Sequence, residues 1–157
     1  PGNCRIPWSG NWAPSTDMAS PFAIHPRLLA DCHPLGRLPE CRLLLQRNRL
    51  IPWLILVPEV TVEELFQIPH PQRTRVQGEW DRLARFVYRY FDCDKINVAA
   101  IGNLVPQLHL HVVGRRVDDP CWPGVIWGRL PQGSQWSDRE LQALVSALER
   151  QLGLRTG

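Results

Sequence analysis

The sequence predicts an α+β fold in which a long helix and a C-terminal helix pack on an antiparallel sheet of about five strands. Two apolar, strand-like runs stand close enough to form a hairpin, and two stripes of apolar residues at helical spacing mark the helices. Strand pairs alternating with helices across short connections are typical of this class. At 157 residues, we expect a single domain over residues 21–157.

Residues 1–20 are rich in Pro, Ser, Gly and Asn and show no periodicity, so we expect a weakly ordered N-terminal arm. Met18 is the only methionine and stands where the domain begins. Two interpretations stay open. The arm is part of the natural protein, or Met18 is the natural start and the residues before it are an upstream extension.

The first half of the domain contains a short helix followed by a hairpin. Pro26 suits the first turn of that helix, and the second hairpin strand is apolar throughout, as expected at the centre of a sheet covered on both faces. The predicted elements are a helix at 24–31, a turn at 33–36, a strand at Cys41–Gln46, a turn containing Asn48, and a strand at Trp53–Pro58.

The second half places the long helix between the two pairs of strands. Its apolar stripe runs from Val76 to Phe91, and the C-terminal helix opens with the capping box Ser137 to Glu140. The predicted elements are a short helix at 63–67 after a capping box at 61–64, the long helix following His70 and Pro71, strands at 95–101, 106–114 and 125–127, and the C-terminal helix.

The chain's chemistry is concentrated in the strand at 106–114, where polar and apolar residues alternate. In an extended strand, Gln107, His109 and His111 share one face, while the leucines and valines between them face the other way. Two imidazoles on a rigid strand can act as nucleophile, proton carrier or metal ligands. A metal would need a third ligand, which Cys121 or His33 could supply only through the fold.

Composition narrows the class of protein. The five cysteines are widely spaced without a CxxC pair, which is typical of a reduced, cytosolic chain, and the net charge of +3 is too small to indicate nucleic-acid binding. No apolar run reaches transmembrane length, and the N-terminus lacks the apolar region of a signal peptide. We therefore expect a cytoplasmic protein without a membrane or nucleic-acid partner.

The run from Gln107 to Gly114 resembles the signature of the histidine triad superfamily, in which histidines alternate with apolar residues. The surroundings agree over roughly residues 22–127, and the resemblance is closest to a bacterial branch that has glutamine first in the triad. The supporting features are Asn97 on the preceding strand, Gly102 and Asn103 in the following loop, Trp122-Pro123 after the motif, and the apolar strand ending at Pro58.

The resemblance implies a homodimer that binds a nucleotide or dinucleotide beside its sheet and uses no cofactor or metal. The middle histidine, here His109, attacks the α-phosphorus to form a nucleotidyl-histidine intermediate, which water or another phosphate then releases. His111 and Gln107 flank the nucleophile. Carried over by position, the substrate-binding residues are Asn97, Gly102, Asn103, Asn48 and Trp122.

Gln107 is the main departure from the family pattern, because an amide cannot carry a proton at neutral pH. Leu104 also stands where many members have Ser or Thr. Three hypotheses follow: a hydrolase or nucleotidyl transferase acting through His109, a nucleotide-binding homodimer with little turnover, and a metal-binding regulatory protein.

Overall fold

A computed structural model describes residues 22–156, and the predicted N-terminal arm lies outside them. Five strands form one antiparallel sheet in the order β1-β2-β3-β5-β4, which confirms the α+β class. The elements are α1 (Pro26–Asp31), β1 (Cys32–Arg37), β2 (Cys41–Gln46), β3 (Trp53–Pro58), a 3-10 turn (Leu65–Gln67), α2 (His70–Tyr90), β4 (Lys95–Ala100), β5 (Leu110–Arg115) and α3 (Asp138–Leu152).

Helices α2 and α3 cover one face of the sheet with their apolar stripes. The predicted capping box is present at the start of α3, where Ser137 accepts from the Glu140 backbone, and Gly153 ends the helix at a φ of 69°. The main core is made of Leu43, Leu45, Leu54, Leu56, Leu110 and Val112 from the sheet and Val76, Leu83, Val87, Leu144 and Leu148 from the helices. Within residues 22–156, no helix is both long enough and apolar enough to cross a membrane.

The opposite face of the sheet carries a smaller apolar cluster and the histidines. Leu44, Ile55 and Val57 project there and pack against Leu28 of α1 and Val105 of the loop before β5. Because β3 alternates between two buried faces, five of its six residues are buried, which accounts for its apolar sequence. Helix α1 and the 101–109 loop therefore form walls above the sheet on this face.

One predicted turn and one predicted strand are wrong. Residues 33–36 belong to β1 rather than a turn, and 125–127 form no strand. Pro34 and Gly36 resemble turn residues, but β1 lies at the edge of the sheet and contains a bulge between them, where both residues are tolerated. The fifth strand is therefore β1.

Two further boundaries differ from prediction. The strand predicted at 106–114 begins at Leu110, so Gln107 and His109 lie in the loop before it. The capping box of the short helix uses Glu64 and Gln67 rather than residues 61–64, and that helix is a single 3-10 turn.

Candidate active site

The structure brings His109 and His111 together beside a cleft on the second face of the sheet. His109 ends the loop before β5, and His111 is paired with Ile55 of β3 and Ala99 of β4. Their ring centroids lie 4.8 Å apart at an interplanar angle of 83°. Both side chains are largely buried, with 7% and 6% of their surface exposed. The two rings can therefore contact the same bound group.

His109 is held by a backbone carbonyl. Its Nδ1 lies 2.7 Å from the carbonyl oxygen of Gln107. A carbonyl can only accept a hydrogen bond, so Nδ1 must carry the proton that is donated. In the neutral ring, Nε2 is then left with a free lone pair. His109 is consequently arranged to act as a nucleophile through Nε2.

His111 is held by a donor instead. The indole Nε1 of Trp53 lies 2.9 Å from His111 Nδ1. Because an indole N–H can only donate, Nδ1 must be the acceptor, and the proton of the neutral ring sits on Nε2. Burial, and then the proximity of His109, lower the pKa of His111 to about 3. His111 is thus a neutral hydrogen-bond donor at physiological pH.

The cleft beside the two histidines has a volume of about 490 Å³. Its walls combine the aromatic rings of Trp53 and Trp127 with apolar side chains of α1, β3 and the 101–109 loop. A smaller cavity of about 220 Å³ lies against the same loop and is lined by Glu63 and Glu64. His109 lines both spaces, so a group bound in the cleft could extend past it into the smaller cavity.

Gly102 and Asn103 lie where the resemblance puts substrate contacts, because both line the two cavities. Gly102 has a φ of 69°, a left-handed conformation that favours glycine. It turns the chain between β4 and the loop that carries His109. The loop therefore presents its backbone and the exposed Asn103 amide to the cleft.

The sequence predicts that the Gln107 side chain shares one strand face with the two histidines, but in the structure it bonds to another segment. Its side-chain oxygen accepts from the His25 backbone N–H at 2.8 Å, and its amide nitrogen donates to the Ala23 carbonyl at 2.9 Å. Both ends of the amide are therefore engaged with the segment that leads into α1. This segment packs on the apolar cluster of the cleft face through Phe22 and Ile24.

Asn97 and Trp122 belong to a buried arginine cluster rather than to the lining of the cleft. Arg115 is 1% exposed, donates to Asn97 Oδ1 at 2.7 Å and forms an ion pair with Asp119. Trp122 lies over the guanidinium, 5.7 Å from Cζ to the ring centroid. Arg115 therefore anchors the 116–124 loop through Asp119 and the Gly124 carbonyl.

Asn48 is held by another loop. Its side chain donates to the Pro131 carbonyl at 2.8 Å and accepts from the Leu50 backbone N–H. It does not line the cleft, whereas Gln46 of β2 does. The turn role considered from the sequence accounts for these contacts.

Trp53 and Trp127 are site residues that the sequence reasoning missed. Trp53 was included only as part of an apolar strand, and Trp127 only as part of a short strand. The available signal was chemical, since a tryptophan in a buried strand usually needs a partner for its indole N–H. The antiparallel register of β3 and β5 supplies that partner in His111.

The structure offers no support for metal chemistry at the pair. Within residues 22–156, no three His, Cys, Asp or Glu side chains lie close enough together to hold a metal ion. Cys32 lines the cleft, but burial raises the pKa of its thiol to about 12. It stays a protonated, apolar wall residue and does not compete as a nucleophile.

Comparisons with solved structures show proteins that share this fold. A histidine triad protein from Marinobacter aquaeolei has a TM-score of 0.78 at 39% identity, covering 84% of this chain and 96% of that one. A histidine triad protein from Bradyrhizobium japonicum has a TM-score of 0.78 at 36% identity, covering 83% of this chain and 98% of that one. One from Sinorhizobium meliloti has a TM-score of 0.79 at 34% identity, covering 84% of this chain and 98% of that one. No curated protein sequence matches the chain significantly.

The family comparison covers both histidines and most of the cleft lining. The HIT domain family matches residues 28–118, which run from within α1 to the loop after β5, and Trp127 lies outside this range. Together with relatives more than 30% identical over most of their length, this match shows that the chain belongs to the histidine triad (HIT) family.

Proposed function

We propose that the protein is a nucleotide hydrolase or nucleotidyl transferase that acts at the α-phosphate through a nucleotidyl-His109 intermediate. The observation that carries the proposal is the opposite proton placement on the two histidines. His109 has a lone pair at Nε2 next to a ring whose Nε2–H can donate. A nucleophile beside a neutral donor is the pairing that attack on a phosphoryl group needs.

In the first step, His109 Nε2 attacks the α-phosphorus, and the bond from phosphorus to the leaving group breaks. The leaving group departs with that electron pair and takes a proton from solvent. The ring becomes positively charged, and its Nδ1–H still donates to the Gln107 carbonyl, which stabilises the charge. His111 donates from Nε2 to a phosphoryl oxygen as negative charge develops there.

In the second step, water or an acceptor phosphate attacks the same phosphorus and the bond to His109 Nε2 breaks. The electron pair returns to the ring, and the proton of the attacking water passes to solvent. Asn103 and backbone N–H groups near Gly102 face the phosphate in this arrangement. The groups that we assign to the phosphate are all neutral hydrogen-bond donors. The proposed steps use these donors and involve no metal ion.

The cleft supports a nucleoside as the bound part of the substrate. Its volume falls in the range of about 300–1,000 Å³ usual for small-molecule sites. Trp53 and Trp127 offer aromatic surfaces for stacking with a base, and Leu28, Ile55 and Val105 are apolar. The leaving group then lies toward the smaller cavity on the far side of His109.

We also propose that the chain forms a homodimer through the edge of its sheet at β4. This strand has one neighbour, β5, and Val98 is 49% exposed on it. The exposed apolar surface continues into the following loop, where Ile101 is 39% exposed and Leu104 is 73% exposed. An open strand edge beside apolar side chains favours pairing with a second copy.

A nucleotide-binding homodimer with little turnover is the second candidate. Gln107 favours it, because both ends of its amide are engaged with residues 23 and 25 and an amide cannot deliver a proton. Under this alternative, the leaving group receives no help from the first position of the triad. Binding would survive while turnover stayed close to the uncatalysed rate.

A turnover assay separates the two candidates. The substrates are an adenosine phosphoramidate, a dinucleoside polyphosphate and a nucleoside diphosphate sugar, given to the wild type, His109→Ala and His70→Ala. His70 is exposed at the start of α2, lines neither cavity, and serves as the matched control. We expect nucleotide release by the wild type and His70→Ala and at least about 10³-fold less by His109→Ala. Equal, slow release by all three would favour the binding protein.

A further inference from the structure

We propose that Trp53 is a positioning residue that fixes the proton of His111 on Nε2, so that His111 acts as a hydrogen-bond donor rather than a proton carrier. The proposal rests on the proposed function only for its catalytic consequence. The proton placement itself can be tested on the free protein.

The sheet determines where the indole lies. Trp53 pairs with Val113 and Ile55 pairs with His111, so Trp53 and His111 are diagonal neighbours on the same face of β3 and β5. Their rings meet edge to face with centroids 5.4 Å apart. Trp127 packs against both rings. Its ring centroid lies 5.9 Å from that of Trp53 and 5.8 Å from that of His111. The indole is therefore held in place by backbone register and by a third ring.

The contact is selective because an indole nitrogen can donate but cannot accept. The 2.9 Å approach requires an unprotonated Nδ1 on His111. Moving the proton to Nδ1, or adding a second one, would set two N–H groups against each other in a largely buried site. Either change would leave the indole N–H without its partner, which costs free energy in such a place.

The other groups around His111 do not replace this constraint. His109 is the titratable neighbour on its own chain segment, and a positive charge there also disfavours protonation of His111. Arg27, Asp31 and Cys32 of the α1 region line the same cleft, while the paired residues on β3 and β4 are the apolar Ile55 and Ala99. None of them forms a hydrogen bond with the His111 ring within the described residues.

During the reaction, the fixed proton gives the site a donor that does not depend on pH in the physiological range. Without the indole N–H, the buried neutral ring would carry its proton on either nitrogen, and part of the population would present a lone pair instead of an N–H to the phosphate. With Trp53 in place, His111 stabilises charge on the phosphoryl oxygens and keeps its proton. The leaving group must then be one that departs with a proton taken from solvent.

The direct test is nitrogen-15 NMR of histidine- and tryptophan-labelled protein without ligand. For the wild type, we expect His111 to show a protonated Nε2 and an unprotonated Nδ1 from about pH 8 to about pH 5. A scalar coupling between Trp53 Nε1 and His111 Nδ1 would report the hydrogen bond without any substitution. A protonated Nδ1 on His111 in this range would overturn the proposal.

Two variants test whether the Trp53 N–H determines the tautomer of His111. Trp53→Phe keeps an aromatic ring but removes the N–H. We expect the buried His111 ring to stay neutral but to lose its single tautomer, so that Nδ1 and Nε2 both carry the proton in part of the population. Trp127→Phe is the matched control, because it removes an indole that contacts His111 without hydrogen bonding, and we expect the His111 nitrogen shifts to stay as in the wild type. Unchanged His111 shifts in Trp53→Phe would overturn the proposal.

Turnover adds the catalytic readout. We expect Trp53→Phe to lower kcat by about tenfold, because only part of the His111 population then offers an Nε2–H to the phosphate, while KM changes by less than about threefold because an aromatic ring remains. A kcat equal to that of the wild type, or a loss confined to KM, would overturn the catalytic part. If the wild type turns over no substrate, the proposed function fails, while the NMR experiment still decides the role of Trp53.

Discussion

His109 and His111 have the same side chain but hold their protons on opposite nitrogens. The difference comes from the partner of Nδ1, which is a carbonyl for His109 and an indole N–H for His111. The sequence predicted the pair, because alternation at period two and the family resemblance both pointed to it. The sequence could not predict the proton positions, since these depend on Trp53, which lies 58 residues from His111.

Gln107 joins the 101–109 loop to the segment before α1. If the proposed function holds, its substitution should weaken binding more than chemistry. In Gln107→Ala, the Ala23 and His25 backbone groups lose their partners, and the wall near Leu28 becomes less ordered. We expect KM for the nucleotide to rise by about three- to tenfold and kcat to change by less than about threefold. Steady-state kinetics measure both quantities.

Gln107→Glu is the matched control for this prediction. It keeps the acceptor for the His25 N–H but replaces the donor to the Ala23 carbonyl with an oxygen. We expect KM to rise above that of the wild type by no more than it does in Gln107→Ala. A loss of kcat as large as that of His109→Ala, with KM unchanged, would show instead that the Gln107 amide acts on the phosphate.

The lowered pKa of His111 should appear in the acid stability of the free protein. Between the unfolded value of about 6.5 and the folded value of about 3, the unfolded chain binds a proton that the folded chain does not. The contribution of His111 to stability is thus present above about pH 6.5 and is lost as pH falls toward 3. At about 1.4 kcal/mol per pKa unit, the loss is a few kcal/mol.

His111→Gln tests this assignment, because an amide oxygen can still accept from Trp53 but does not titrate. Urea unfolding at about pH 7 and about pH 4.5 should show a smaller loss of stability in the variant than in the wild type. Burial raises the pKa of Glu79, whose contribution has the opposite sign and is common to both proteins. Equal losses would contradict the assignment to His111.

Among the elements, those with strong periodicity or strong burial were predicted from the sequence, and the edge strand β1 was not. The bounds of β2 and β3 match the prediction because their apolar runs are central in the sheet. β1 was missed because an edge strand tolerates Pro34 and Gly36, which are turn residues by composition. The 106–114 prediction was too long because the chain stays in a loop until Leu110.

The close approach of β5 and α2 predicts opposite effects for two glycine substitutions. A Cβ on Gly114 would lie 2.5 Å from Cys93 Sγ and 3.1 Å from Val87 Cγ1, so Gly114→Ala should destabilise the protein by about 1–3 kcal/mol. Gly78 is exposed on α2 with nothing within 4 Å of its Cβ position, so Gly78→Ala should stabilise it by about 1 kcal/mol. Denaturant unfolding measures both, and a stabilising Gly114→Ala would contradict this packing.

For the whole molecule, the exposed edge at β4 predicts how the chain associates. Val98→Lys places a charge in the middle of this edge, and we expect the homodimer to dissociate to a monomer. Val117→Lys is the matched control, because Val117 is 62% exposed but follows β5 in a loop, and it should leave the dimer intact. Light scattering after size exclusion gives the masses. A wild-type monomer, or a Val98→Lys dimer, would contradict the β4 interface.

The most direct test of the account is capture of the covalent intermediate. The protein is mixed with an adenosine phosphoramidate, quenched under conditions that preserve phosphorus–nitrogen bonds, digested and analysed by mass spectrometry. We predict a nucleotidyl group on the peptide that contains the histidine pair, located on His109, retained in His70→Ala and absent from His109→Ala. A nucleotidyl group on His111, or turnover by the wild type through a pathway that never labels His109, would contradict the assignment of His109 as the nucleophile.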